Sequence, residues 1–268
     1  MSITFSTCFY NFKSKFDESV YTGWMNNMLS LVNNYYLVVY TDENSVHLFE
    51  KCKSNEKIKI VVKPFDKFYF YKYENLWIEN HEKNHLLNKE VDWKVLMLWC
   101  EKIAFVKETI HEKYFETEMY GWCDIGYFRN RCKDTKIHEL VNWSNKEKIN
   151  SLNIDKIHYA RVNNFDHEFE HLKNIILDQN EYGLPNSSIP ADQVSIAGGF
   201  FICHYSKLDW WLDTFESKLV TYFNNNYVVK DDQIIIINCY FLNEEHFELH
   251  RENDCNFDNW FMFQRILL

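Results

Sequence analysis

One apolar stretch, Met119 to Cys123, runs into a single carboxylate, Asp124, and Gly126 follows two residues later. Tyr120, Trp122 and Cys123 predict a strand inside a sheet. Aspartate is depleted in strands and costly to bury without a partner. At the carboxyl end of a strand it stands where open α/β sheets bind ligands. Alone, Asp-x-Gly more often caps the following turn through its own backbone. Three further constellations carry chemistry. Gly198-Gly199 permits close approach of a backbone to a ligand, or a plain bulge. Asp231-Asp232-Gln233 opens an apolar run, where carboxylates suit a helix N-terminus or a general base beside a hydroxyl. His167-Glu168-Phe169-Glu170-His171 satisfies His-Glu-x-x-His, which on a helix puts both imidazoles on one face for zinc with Glu168 as base. No glycine and third histidine follow at metalloprotease spacing, so a solvated face paired at i, i+4 is the plainer reading.

The elements that would position these groups follow from periodicity. Ile3–Tyr10 alternates and reads as a strand; Asp17–Leu31 has helical spacing; Tyr36–Tyr40 is a buried strand; Ser45–Lys53 is a short helix; Lys57–Val62 is a third strand. This β-α-β-α-β order predicts a parallel sheet with helices on its faces. Its strand ends bring Thr7, Asp42 and Asp124 to one edge. Residues 65–88 read as a surface excursion whose aromatics could form a lid that stacks on sugar rings, although such residues more often simply fill a core. Val91–His111 reads as one long helix, residues 129–153 as irregular, and Phe165–Leu177 as helical. Val194–His204 reads as a strand interrupted by two glycines, and Asp231–Tyr240 as a helix.

With 268 residues, 6 Gly and 3 Pro, no linker is visible, which favours one α/β domain with a mixed, mostly parallel sheet. Residues 1–130 and 131–268 would form its two halves. The net charge of −10 disfavours nucleic acid and anionic membranes as partners. Eight cysteines without Cys-x-x-Cys spacing, and no apparent signal peptide or membrane span, suggest reduced thiols in a soluble cytoplasmic protein.

Together these parts resemble the GT-A glycosyltransferase fold. Trp122-x-Asp124-x-Gly126-x-x-Arg129, preceded by Leu98-Trp99-x-x-Lys102, is similar to the HtrL/YibB-like family. The resemblance implies transfer from a nucleotide sugar, such as a UDP- or GDP-sugar, to a glycan, protein or lipid hydroxyl. By the same resemblance, Thr7, Phe9 and Asp42 surround the donor nucleoside and Lys102 faces the same crevice. Asp124 stands at the last position of Asp-x-Asp, touching Mn or Mg and the diphosphate; Trp122 replaces the first Asp. Arg129 helps neutralise the leaving group. Gly198, Gly199 and Gln233 shape the acceptor side, Asp232 or Asp231 is the base, and His250 is a second metal ligand. The alternatives are the zinc hydrolase on His167 and His171, and a non-catalytic nucleotide-sugar-binding module.

Overall fold

The computed structural model describes residues 2–190 and 192–268. Its centre is one sheet of seven strands: β1 Ile3–Phe9, β2 Tyr36–Thr41, β3 Ile58–Val62, β4 Met119–Cys123, β5 Ile157–Ala160, β6 Phe200–His204 and β7 Phe247–His250. The spatial order is β3-β2-β1-β4-β6-β5-β7. Strands β1 to β4 run parallel, β6 is antiparallel to both its neighbours, and β5 pairs parallel with β7. The fold is therefore α/β with a mixed, mostly parallel sheet.

Helices cover both faces. They are α1 Glu18–Ser30, α2 Glu74–Lys83, α3 Trp93–Cys100, α4 Lys102–His111, α5 Lys146–Asn150, α6 Asp166–Leu177, α7 Leu208–Asn224, α8 Asp232–Leu242 and α9 Phe263–Ile266. Strand β1 is buried along its whole length because both its faces are covered. Its period of two sends Phe5 and Phe9 into one core cluster, with Leu37, Trp143 and Phe200. The other face carries Cys8 and Tyr10, with Tyr40, Phe105, Trp122 and Trp211.

The chain leaves β1, steps outward through β2 and β3, then returns to the opposite side of β1 as β4. That reversal is the topological switch point of an open α/β sheet, where a crevice forms beyond the strands' carboxyl ends. Phe9 and Asp124 flank it.

Several elements differ from expectation. Residues 46–52 form a 3-10 helix. The long helix expected over 91–111 is two helices that meet at Glu101. This carboxylate is buried and accepts from the N–H groups of Tyr69 and Phe70, at 2.5 and 3.0 Å. Those donors come from a distant segment, so periodicity within 91–111 carries no sign of the break. Phe70 and Trp77 lie in the core, while Tyr69 and Tyr73 hydroxyls donate to Glu216 on α7. The aromatics of 65–88 thus pack the second layer and do not form a lid. Residues 129–153 include α5 and place Leu140, Trp143 and Ile149 in the core. Strand β6 begins only at Phe200, so Gly198 and Gly199 precede it. Their backbone passes directly beside side chains of the site.

Candidate functional site

Lys102 opens α4 and is only 7% exposed. Its Nζ donates to the Gly198 carbonyl at 2.8 Å and to Asp232 Oδ2 at 3.0 Å, and lies 3.4 Å from Asp124 Oδ1. One ammonium thus joins three elements far apart in the chain. An ammonium is not left this deep without partners; here two carboxylates and a carbonyl supply them, and they hold its pKa above the ordinary lysine value despite burial.

Asp124 leaves β4 at its carboxyl end, and its N–H donates to the Gly199 carbonyl at 2.9 Å. Trp122, two residues earlier on the same face of β4, donates from Nε1 to Asp124 Oδ1 at 2.5 Å. The Asp124 side chain is still 39% exposed, so it faces solvent while anchored from behind. Asp232 is buried at the start of α8. Burial pushes its carboxyl up to about 6, against the lowering effect of Lys102, with Asp231 and Asp124 adding to the rise. Asp231 sits at the N-cap position but makes no side-chain capping bond. Its Oδ1 is buried without a hydrogen-bond partner, and Lys230 Nζ stands 3.5 Å from Oδ2.

The two glycines are explained by these carboxylates. A Cβ on Gly198 would lie 2.7 Å from Asp232 Oδ2, and one on Gly199 would lie 2.9 Å from Asp124 Oδ2. Any side chain at either position would displace a carboxylate, so the pair serves close approach and not a bulge within a strand.

Two cavities meet at this cluster. The first, about 100 Å³, is walled by Phe9, Tyr10, Phe12, Phe16 and Tyr21, and reaches Trp122. The second, about 150 Å³, is lined by Gly198, Gly199, Asp231, Asp232 and Gln233, with Trp260 and Phe261. Trp99, Lys102, Asp124 and Gly126 line both. An aromatic pocket and an acidic pocket therefore share a wall that carries the lysine and the exposed carboxylate.

Of the residues singled out in the sequence, Phe9, Lys102, Asp124, Gly198, Gly199, Asp231, Asp232 and Gln233 line this double cavity. Four others do not. Thr7 lies within β1, which continues to Phe9, and its side chain is fully buried. Asp42 instead accepts from the Ser45 N–H at 2.8 Å, holding the turn after β2. Arg129 donates from Nε to the Gly126 carbonyl, and its guanidinium covers the Trp24 ring at 4.2 Å, bracing the Asp-x-Gly turn from outside. His250 lies at the far edge of the sheet, with its Nε2 3.0 Å from His158 Nδ1. It does not stand with Asp124.

The donor set at Asp124 accordingly offers a divalent cation little. One oxygen is engaged by Trp122 and Lys102, and His250 is elsewhere. His167 and His171 are on α6, with the His167 side chain 79% exposed. Among the described residues neither belongs to a convergent group of three candidate ligands. Trp122 and Trp99 were quoted as members of the family motif and Tyr10 only as a strand residue, and none was given a place in the site. The i, i+2 spacing of Trp122 and Asp124 on a strand was the available signal for the first. No helix among the described residues is long and apolar enough to cross a membrane. No protein-family model and no curated protein matches the chain.

Proposed function

We propose that the chain is a glycosyltransferase that moves a sugar from a nucleoside diphosphate sugar to an acceptor hydroxyl. The observation that carries this reading is the double cavity at the β1/β4 switch point, divided by Lys102 and Asp124. The aromatic pocket suits a nucleobase, which stacks on rings such as Phe9 and Tyr10. The diphosphate then lies at the shared wall, and the acceptor enters the acidic pocket.

Charge neutralisation falls to Lys102, whose buried ammonium stands between Asp124 and Asp232 in the lining of both cavities. Charge that develops on a leaving diphosphate meets a preorganised, buried cation. Asp232 is the base. It is held near 6 by burial, so at neutral pH it is mostly ionised and still basic enough to take a proton from an acceptor hydroxyl. Asp231 lines the same acidic pocket and offers its carboxylate to a second acceptor hydroxyl. Asp124, tied to Trp122, fixes Lys102 and contacts donor hydroxyls from its exposed oxygen. No step is assigned to a metal ion, because the carboxylates here do not present a convergent set for one.

The test is release of nucleoside diphosphate from a panel of UDP- and GDP-sugars, with wild type, Asp124→Asn and Asp232→Asn. Turnover by wild type that falls at least about a hundredfold in both variants supports the assignment of base and wall. Turnover unchanged in both variants refutes it.

A further inference from the structure

At the far edge of the sheet, a second group of side chains converges without any part in the reading above. Glu248 and His250 alternate on β7, so both project from one face of the strand. On the neighbouring parallel strand β5, His158 pairs in register with Glu248 and projects from the same face. His158 Nδ1 lies 3.0 Å from His250 Nε2 and 3.6 Å from Glu248 Oε2. All three ligand atoms fall within 4.8 Å of one another.

We propose that His158, Glu248 and His250 form a zinc site that clasps edge strand β7 to β5. A tetrahedral zinc with bonds of about 2.0–2.1 Å separates its ligand atoms by roughly 3.4 Å. Two of the three separations bracket that edge and the third is within 4.8 Å, so side-chain shifts alone complete the set. Two histidines and one carboxylate are a common three-residue zinc set, which leaves a fourth position for water. The side of Glu248 is open, its side chain being 45% exposed, whereas His158 is fully buried. The other nitrogen of His158, Nε2, meets the Asn153 carbonyl at 2.9 Å. Donation there leaves the lone pair of Nδ1 facing the site, the outer-shell arrangement that orients metal-ligating histidines.

The experiment titrates zinc into tag-free, chelator-treated full-length protein, read by calorimetry and by melting temperature. Cobalt substitution reports tetrahedral geometry by its intense visible absorption. Wild type should take up one equivalent of zinc and melt at a higher temperature with it. Glu248→Ala, at an exposed position, should bind at least about tenfold more weakly, the loss seen even for outer-shell partners. His250→Gln should behave alike. Binding by wild type below one equivalent overturns the site. So does wild-type affinity in both variants, or loss of zinc from a His167→Ala/His171→Ala variant instead.

Discussion

Replacing Lys102 by methionine tests the centre of the site on stability alone, whatever the substrate. The side chain keeps its length, but three contacts vanish, to Gly198, Asp232 and Asp124. The largest loss concerns Asp232, which stays buried with no cation beside it. Removing one partner of a buried ion pair costs about 3–5 kcal/mol, most of it the stranded charge. The Asp124 contact adds less, because that carboxylate is 39% exposed and water screens it. The sign of the pH dependence follows from Asp232. Its folded pKa, about 6, already lies above the ordinary carboxylate value, so the fold favours the protonated form and stability declines as pH rises through 6. Lys102 opposes that rise, so its removal moves the folded pKa higher still. At about pH 8 Lys102→Met should cost about 3–5 kcal/mol, and at about pH 5, where Asp232 takes a proton, only the hydrogen bonds, about 1–2 kcal/mol. Urea unfolding of wild type, Lys102→Met, Asp232→Asn and the double variant at both pH values measures this. The double variant should recover most of the loss at pH 8, because an uncharged pair strands nothing. A Lys102→Met cost below about 1 kcal/mol at pH 8, or no recovery in the double variant, would refute the electrostatic reading.

Further expectations concern the elements that hold the cluster. Gly198→Ala forces a methyl against the Asp232 carboxylate and should destabilise by about 1–3 kcal/mol. Gly23→Ala, in α1 with nothing within 4 Å, should stabilise by up to about 1 kcal/mol; thermal melts of the two variants should therefore shift in opposite directions. Burial raises Glu101 to about 8, so its contribution falls as pH rises from the ordinary glutamate value toward 8. Glu101→Gln removes that decline, and the stability gap between wild type and variant should narrow or reverse between about pH 5 and about pH 9, as read by urea midpoints.

Much of this site was legible because strand and helix ends have chemical signatures. A carboxylate closing an apolar run placed Asp124, and paired carboxylates opening an apolar helix placed Asp231 and Asp232. The helical pattern gave Lys102 its element, but its place in the crevice came only from the family resemblance, and its burial from neither. Thr7 was misplaced because it lies inside the run read as a strand to Tyr10: β1 continues to Phe9, so its side chain is buried in the strand interior and is not at the strand end. Asp42 does sit just after a strand, but a turn N–H claims its carboxylate. His250 was expected as a metal ligand with Asp124, yet strand order carries its strand, β7, to the opposite edge of the sheet from β3. Local sequence reports the end of a strand; which strand lies next to it is decided by packing that no single segment encodes.

The most direct measurement is a structure of the protein with a bound nucleoside diphosphate. The expected result is a base among Phe9, Tyr10 and Tyr21, with diphosphate oxygens within hydrogen-bond reach of Lys102 Nζ. A nucleotide bound away from the β1/β4 crevice, or a Lys102–Asp124–Asp232 cluster untouched by saturating nucleotide, would contradict it.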